Sequence, residues 1–256
     1  MSEPSSLLAV FAHPDDESLW AGGVIARHAA AGARTAVVTA TWAAGTHRAA
    51  ELADATRALG AGEPLLLGYA DARVPESAPG RPRLLDAPLD EAVGALVAHL
   101  RRFRPRIVVT HDAYGGLTGH PDHVHTHRVT ALAVHAAAHE RLYPEAGAPW
   151  RAGALYLATH PHSAVDTLTG FAAAGRALRT VPDEWVAAAA DVRPWLEQKW
   201  AGVQAHRSEV ARGAAPGLLA SLPAADRERL LGTEWYMRYD GVATDTAGGI
   251  ANELTG

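Results

Sequence analysis

Short apolar runs that alternate with longer amphipathic stretches constrain the fold of this chain most strongly. Each run is six or seven residues long and is bounded by polar residues or breakers, which is typical of buried strands. The predicted strands are 7–12, 35–41, 64–69, 106–111 and 154–160. The predicted helices between them are 15–32, 47–60, 88–103 and 121–139. This order predicts an α/β fold: a Rossmann-like, mainly parallel sheet with helices on both faces.

The second half of the chain carries weaker patterns. Residues 166–181 and about 194–212 are predicted helices, and the glycine- and threonine-rich tail after Asp240 is predicted to be poorly ordered. The chain has 256 residues and no fixed-period repeat, so it is predicted to form a single domain over 1–256.

Composition excludes several classes of function. A net charge of −5 disfavours nucleic-acid binding, and the one dense basic run, residues 100–106, is predicted to end a helix far from the carboxyl edge of the sheet. The sequence lacks a membrane-length apolar stretch and a basic signal-peptide start, which predicts a cytoplasmic protein that does not insert in membranes. Without cysteine, any metal must be held by nitrogen and oxygen ligands, and the chain has 14 histidines.

Two segments share an unusual pattern: "AHPDDE" at 12–17 and "GHPDHVHTH" at 119–127. Each has His-Pro-Asp and then a further ligand type, and each follows a predicted strand and begins a predicted helix with proline first. Acids and proline at a helix start are favourable in themselves, but this does not explain the histidines. Because ligands bind beyond the carboxyl ends of parallel strands, both segments are predicted to open on one shared metal site.

The spacing suggests which side chains serve the metal. His13, Asp16 and His123 supply two imidazoles and a carboxylate, as catalytic zinc sites do. Asp15 and His120 are then left beside the metal as an acid–base pair. The spacing alone does not exclude the alternative assignment, in which His120 binds the metal and His123 is free.

The chain resembles the LmbE-like (PIG-L) family of zinc-dependent N-deacetylases, which includes mycothiol-pathway and antibiotic-pathway enzymes. Besides the two motifs, residues 47–61 resemble the arginine-bearing helix of the family. Residues 68–71 and 199–210 resemble segments that occur later in the family's sequences. The resemblance implies an enzyme that removes an N-acetyl or other N-acyl group from a small amino-sugar-type substrate, such as an N-acetylglucosamine derivative. The implied cofactor is Zn²⁺, with another divalent ion such as Fe²⁺ as the alternative. Oligomeric state, homo-oligomers included, is left open.

The resemblance also implies roles for individual residues. The implied metal ligands are His13, Asp16 and His123. Asp15 corresponds to the general base, and His120 to the residue that, when protonated, stabilises the oxyanion or protonates the leaving amine. Asp122 corresponds to the acid that supports His120, and Arg48 to a substrate-contacting arginine.

Some positions depart from the pattern of the mycothiol branch. Thr118 stands where those relatives have a tyrosine, with Tyr114 nearby; the loop after the second strand is reduced to "WAAGTH"; and Glu209 replaces the usual glutamine. The first two differences disfavour a mycothiol precursor as the substrate and leave the metal chemistry unchanged.

Structural roles compete with site roles for the other candidate residues. His125 and His127 turn away from His123 and are predicted to lie outside the first ligand shell. For His111 and Asp112 a site role and a structural role are equally favoured. Structural roles are favoured for His160, His162, His206, Asp71, Trp20 and Trp42. The loops 72–86 and 141–152 are expected to set substrate identity.

Two other functions fit the same sequence. One is a metal-dependent hydrolase of another bond, such as an amidase of larger mycothiol-type conjugates or an esterase. The other is a non-catalytic ligand-binding relative, which the presence of every motif residue disfavours.

Overall fold

Seven strands form one sheet in the part of the chain that this computed structural model describes, residues 4–165 and 178–239. The strands are β1 (Leu7–Phe11), β2 (Thr35–Thr41), β3 (Leu65–Tyr69), β4 (Ile107–His111), β5 (Ala154–Thr159), β6 (Ala188–Asp191) and β7 (Thr233–Arg238). Their spatial order is β3-β2-β1-β4-β5-β7-β6. The first five strands are parallel to one another, while β7 runs antiparallel to both of its neighbours, β5 and β6.

The five predicted strands and the mainly parallel sheet are confirmed, whereas β6 and β7 escaped prediction. β6 is four residues long and consists mostly of alanine, a residue that strands do not favour. β7 presents the buried Glu234 among its inward side chains, which breaks the apolar alternation expected of a strand.

The four helices predicted in the first half of the chain are confirmed as α1 (Asp16–Ala30), α2 (His47–Ala58), α3 (Leu89–Phe103) and α4 (Pro121–Ala137). The later helices are α5 (Leu196–Ala205), α6 (Arg207–Ala211), α7 (Ala215–Ser221) and α8 (Ala224–Leu231). Within the described ranges, none of these helices is apolar over a length that could cross a bilayer.

One helix prediction was wrong in part. The helix predicted over 194–212 is two helices, because His206 between α5 and α6 has a ψ of 63° and leaves the helical conformation. The ring of His206 is instead buried against the carboxylate of Glu17. Of the helix predicted over 166–181, residues 166–177 lie outside the described residues and 178–181 are not helical; the tail after residue 239 also lies outside them.

Alternating side chains of β1 supply the cores on both faces of the sheet. Leu8 and Val10 pack in a cluster with α3 and α4, whereas Leu7, Ala9 and Phe11 pack in a second cluster with α1 and α2. The chain runs outward from β1 through β2 to β3 and then returns to place β4 on the other side of β1. The carboxyl ends of β1 and β4 therefore flank a topological switch point, where an α/β sheet opens a crevice for ligands.

The basic run at 100–106 lies at the end of α3, as predicted, and one of its members has an unforeseen structural role. The guanidinium of Arg101 is buried and donates hydrogen bonds to six backbone carbonyl oxygens at and beyond the end of α4: those of Ala136, Ala137, His139, Leu142, Tyr143 and Gly147. Arg101 therefore fixes the loop that follows α4.

A buried ion pair ties the second half of the chain to α1. Lys199 Nζ lies 2.7 Å from Glu234 Oε1, and both side chains are nearly inaccessible to water. Glu234 also accepts hydrogen bonds from the backbone N–H groups of Gly23 and Val24 at 2.8 and 3.0 Å. Gly23 also lets Val192 pack against α1, because a Cβ at residue 23 would lie 2.3 Å from Cβ of Val192.

We expect Lys199→Met to lower the free energy of unfolding by about 3–5 kcal/mol, because it leaves the buried carboxylate of Glu234 without its cation while preserving side-chain volume. Urea denaturation followed by circular dichroism measures the change. The matched control is Arg57→Met, which removes an exposed cation paired with Asp54 and should leave the unfolding midpoint unchanged. Equal stability of the two variants would contradict a structural role for the buried pair.

Candidate functional site

The two His-Pro-Asp segments lie at the carboxyl ends of β1 and β4, as the sequence predicts. Pro121 is the first residue of α4, whereas α1 begins only at Asp16, so Pro14 precedes that helix rather than opening it. Asp15 is the N-cap of α1 and has a φ of 125°, a conformation that is strained for a residue with a side chain. At this turn the side chain of Asp16 lies beside His13, whereas that of Asp15 lies beside Arg48.

Three ligand atoms converge between the segments. His13 Nδ1 lies 3.3 Å from Asp16 Oδ2 and 3.1 Å from His123 Nε2. Asp16 Oδ2 and His123 Nε2 are 3.3 Å apart. The side chains of all three residues are about nine-tenths buried or more and line the same cavity. The structure thus brings together the three residues that the sequence favoured as metal ligands.

The opposite nitrogen of each imidazole is engaged elsewhere. His13 Nε2 lies 3.1 Å from Asp71 Oδ2 and 3.2 Å from Asp122 Oδ2, so it carries a proton that these carboxylates accept. His123 Nδ1 lies 3.1 Å from the carbonyl oxygen of Gly115, to which it donates. Each ring therefore turns an unprotonated nitrogen toward Asp16 when the imidazole is neutral, a tautomer control typical of metal-binding histidines.

Three such atoms within 3.1–3.3 Å of one another are joined either by a shared proton or by a bound metal ion. Burial lowers the pKa of His13, but the hydrogen bonds with Asp122, Asp16 and Asp71 leave it well above the usual value. Burial raises the pKa of Asp16, but the charges of His123 and His111 leave it well below the usual value. The donor set fits a divalent metal with nitrogen and oxygen ligands, which would displace the proton.

His120 lies beside this cluster in a different environment. Its ring is 4.6 Å from that of His13, and its Nδ1 accepts a hydrogen bond of 3.2 Å from the backbone N–H of Asp122, which caps α4. Burial, together with the charges of His13 and His123, lowers the pKa of His120 to about 4. The structure therefore favours a neutral His120 with its proton on Nε2, in contrast to the protonated ring that the sequence suggested.

Asp122 supports a different histidine from the one expected. Its Oδ2 lies 3.2 Å from His13 Nε2 but 3.8 Å from His120 Nδ1, and it also accepts a hydrogen bond of 2.9 Å from the backbone N–H of Ala72. The carboxylate thus orients His13, while the backbone N–H of the same residue orients His120. The sequence could not distinguish these partners because it gives no ring orientation.

Asp15 is held by Glu17 and by Arg48, which is itself paired with Glu209. Glu17 Oε2 accepts a hydrogen bond of 3.0 Å from the backbone N–H of Asp15, and Glu17 Oε1 lies 2.8 Å from His206 Nε2. Arg48 Nη2 lies 3.4 Å from Asp15 Oδ1, and Arg48 Nη1 lies 2.8 Å from Glu209 Oε1. Burial raises the pKa of Asp15 to about 7, although the charge of Arg48 opposes it.

Arg48 is less free than the resemblance implies. Its guanidinium is buried between Asp15 and Glu209, donates to the carbonyl oxygen of Pro14, and lies 5.0 Å over the ring of Trp42. Arg48 lines the cavity, but each of these contacts fixes it to the protein. Glu209, which departs from the family pattern, joins α6 to α2 through Arg48 and also pairs with Arg212 at the end of α6.

His111 and Asp112 form the wall behind the cluster. The ring of His111 stacks on that of His123 at 3.9 Å between centroids, and its Nε2 accepts from the backbone N–H of Ala12. Asp112 accepts hydrogen bonds from the backbone N–H groups of Tyr114 and Gly116 and from Thr159, which shapes the loop before α4. The structure therefore favours positioning roles for both residues.

A cavity of about 670 Å³ opens over the cluster. Its lining includes several residues for which the sequence favoured structural roles, namely His160, Trp20, Trp42 and Asp71, and also His47, which no sequence pattern singled out. Thr118 lines it too, whereas Tyr114 does not. His125, His127, His162 and His206 lie outside the lining; His127 donates to the carbonyl oxygen of His111. These placements depend on loop geometry that no local pattern encodes.

We expect the purified protein to retain a divalent metal after dialysis, and His123→Ala to lose it, because that change removes one of three converging ligand atoms. His120→Ala and His125→Ala are matched controls from the same motif and should retain the metal. Elemental analysis of the dialysed proteins measures the content. Retention by His123→Ala with loss from His120→Ala would instead support the alternative ligand assignment.

Comparisons with known proteins match the part of the chain that contains this site. The family model described as GlcNAc-PI de-N-acetylase matches residues 8–134, which contain both His-Pro-Asp segments. A relative from Rhodococcus erythropolis, a 1D-myo-inositol 2-acetamido-2-deoxy-alpha-D-glucopyranoside deacetylase, is 37% identical over 241 residues, covering 80% of this chain and 81% of the relative.

Two solved structures share the fold. A conserved protein from Thermus thermophilus superposes with a TM-score of 0.64 at 27% identity, covering 91% of this chain and 94% of that one. The N,N'-diacetylchitobiose deacetylase from Pyrococcus horikoshii superposes with a TM-score of 0.64 at 19% identity, covering 95% and 88%. The identity to the Rhodococcus relative extends over four-fifths of both chains, and on this ground the chain belongs to the PIG-L (LmbE-like) family.

Proposed function

We propose that this chain is a metal-dependent hydrolase that removes the N-acetyl group of a small amino-sugar-type substrate. The observation that carries the proposal is the convergence of His13 Nδ1, Asp16 Oδ2 and His123 Nε2 at about 3 Å on the wall of a cavity that also holds Asp15 and His120. The names of the Rhodococcus and Pyrococcus proteins, both sugar deacetylases, support the substrate class. The cavity volume lies within the range of small-molecule sites.

The residues that hold the metal in this proposal are His13, Asp16 and His123, and the ion is Zn²⁺ or another divalent ion such as Fe²⁺. A divalent ion there supplies Lewis acidity, which polarises the acyl carbonyl and lowers the pKa of water. Asp71, Asp122 and the carbonyl oxygen of Gly115 keep the ligand nitrogens unprotonated by accepting the protons on the opposite side of each ring.

Asp15 acts as the general base in this proposal. Its carboxylate takes a proton from the attacking water and later delivers it to the amine that leaves. The hydrogen bond from its backbone N–H to Glu17 and the ion pair with Arg48 hold the carboxylate in place beside Asp16. Arg48 serves chiefly to position Asp15, and any substrate contact it makes occurs from this fixed orientation.

His120 stabilises the oxyanion that forms when water adds to the carbonyl. The backbone N–H of Asp122 donates a hydrogen bond to Nδ1 of His120, so the proton of the neutral ring is on Nε2. From Nε2 the ring can donate a hydrogen bond to the developing negative charge. The capping contact costs no reorganisation during the reaction, since it belongs to the start of α4. His120 is therefore an electrophilic residue, and proton delivery to the amine is assigned to Asp15.

The test of the proposed function is acetate release from a panel of N-acetylated sugars and sugar conjugates, with and without a chelator. We expect at least one member to release acetate, and we expect the chelator to abolish the release and added divalent metal to restore it. Absence of acetate from every member, in protein shown by elemental analysis to hold its metal, would contradict the deacetylase proposal.

We expect Asp15→Asn to retain the metal but to lower kcat by at least about 100-fold, because the amide has the shape of the carboxylate but cannot accept the proton. Single-turnover acetate release and elemental analysis measure the two properties separately. Asp54→Asn, an exposed acid on α2, is the control and should keep full activity. An Asp15→Asn protein with undiminished kcat would rule out the assignment of the general base.

A further inference from the structure

Trp42, the first residue after β2, has a backbone conformation that is rare for a bulky residue. Its φ is 71°, in the left-handed region that favours glycine. Two backbone hydrogen bonds of 2.9 Å impose this conformation: the N–H of Trp42 donates to the carbonyl oxygen of Tyr69, and the N–H of Ala43 donates to that of Ser77. The fold therefore keeps a large side chain at a position where only glycine would be free of strain.

The side chain of Trp42 forms part of the cavity wall. It is 8% exposed and lines the cavity that holds His13, Asp16 and His123. The loop that begins with Trp42, "WAAGTH", is one of the segments in which the sequence departs from the family pattern, so the resemblance implies no role for this residue. Backbone strain at a buried cavity residue points to a functional constraint on the position of its side chain.

The indole N–H of Trp42 has no hydrogen-bond acceptor. Its Nε1 atom is shielded from water and makes no hydrogen bond within the described residues. No other tryptophan of those ranges has a buried N–H in this state; that of Trp150, for example, donates to the carbonyl oxygen of Pro105 at 2.8 Å. A buried donor without an acceptor is unfavourable, because it has lost its hydrogen bonds to water. In the wall of a cavity, such a donor indicates that a ligand carries the acceptor.

The indole ring of Trp42 is already packed against protein groups. The guanidinium of Arg48 lies 5.0 Å over the ring, and the ring of His47 lies 5.5 Å from it at an angle of 81°. The face beneath Arg48 is therefore closed to the stacking of a sugar, whereas the N–H is still unused. Because an indole N–H donates but cannot accept, its partner on the ligand must be an electron-pair acceptor.

The contacts of Arg48 narrow the choice of acceptor. Arg48 lies over Trp42 and also 3.4 Å from Asp15 Oδ1, so Trp42 is one side chain beyond the proposed general base. A substrate whose acyl carbonyl reacts beside Asp15 and His120 has its sugar ring, with the hydroxyl groups, left to reach Trp42. The charge of Arg48 is already balanced by Asp15 and Glu209, so an uncharged acceptor fits this part of the cavity.

We infer that the indole N–H of Trp42 donates a hydrogen bond to a ring hydroxyl of the amino sugar, which makes Trp42 a specificity-determining residue for the hydroxyl pattern of the substrate. A tilt of the indole about its side-chain torsions brings the shielded N–H to the cavity surface that the ring already forms. This inference rests on the proposed function, because it places the sugar next to the acyl group that is hydrolysed.

Trp42→Phe tests the hydrogen bond, because phenylalanine keeps an aromatic ring but has no N–H. We expect it to lower kcat/KM by about 3- to 10-fold for the best sugar of the acetate-release panel, which is the effect of one uncharged hydrogen bond. Among deoxy analogues that each lack one ring hydroxyl of this sugar, one should show a similar loss with the wild-type enzyme and no further loss with Trp42→Phe. An equal fold-loss from Trp42→Phe for the parent sugar and for every analogue would overturn the inference.

Trp185→Phe is the matched control, since Trp185 is 51% exposed and lies outside the lining of this cavity. It makes the same chemical change and should leave kcat/KM unchanged for the parent sugar and for all the analogues. Circular dichroism of both variants establishes that they are folded. A loss of the same size and the same hydroxyl dependence in Trp185→Phe would overturn the assignment to Trp42.

A binding measurement on the wild-type protein separates this inference from the proposed function and does not depend on the stability of a variant. The indole N–H groups are observed in a proton–nitrogen correlation spectrum of the isotope-labelled protein during titration with methyl glucosaminide and methyl N-acetylglucosaminide. We expect the indole proton of Trp42 to move downfield by more than that of any other tryptophan, because a new hydrogen bond deshields it.

The outcomes of the titration are distinct. The downfield shift of Trp42 would support the hydrogen bond even if no N-acyl bond were cleaved. Acetate release together with a Trp42 resonance that stays in place at saturating sugar would support the proposed function and overturn the inference. A protein that shows neither acetate release nor a response of any indole resonance would contradict both.

Discussion

Three potential ligand atoms meet at 3.1–3.3 Å in a buried corner, and the proposed chemistry of the site depends on the cation that they would hold. His13 Nδ1, Asp16 Oδ2 and His123 Nε2 lie at distances that a shared proton or a bound metal ion can bridge. Carboxylates and a backbone carbonyl on the far sides of the rings keep the converging nitrogens free. The fold supplies the corner, because the switch point between β1 and β4 brings two strand-to-helix junctions face to face.

Elements from the second half of the chain hold the two N-terminal motifs in place. Glu17, the third consecutive acid of its motif, is not among the converging ligand atoms; it joins the backbone N–H of Asp15 to His206, at the break between α5 and α6. Arg48 is fixed in the same way by Glu209 of α6. Asp15, the proposed general base, thus combines a strained φ of 125° with contacts that originate nearly two hundred residues away.

The features that could be predicted from the sequence are those with a local pattern. Five apolar runs and the helices between them predicted a parallel sheet, and the repeated His-Pro-Asp spacing predicted that His13, Asp16 and His123 would meet. Features that depend on long-range geometry were missed. The orientation of Asp122 toward His13 rather than His120, the break at His206, and the alanine-rich β6 follow from packing between segments far apart in the chain.

The proposed metal site is tested most directly by anomalous X-ray diffraction at the absorption edge of the ion that the purified protein holds. We predict a single strong anomalous peak at about 2.0–2.2 Å from His13 Nδ1, Asp16 Oδ2 and His123 Nε2, with His120 Nε2 outside bonding distance. A peak coordinated by His120 in place of His123, or by Asp71 and Asp122 on the far side of the His13 ring, would contradict this assignment of the metal site.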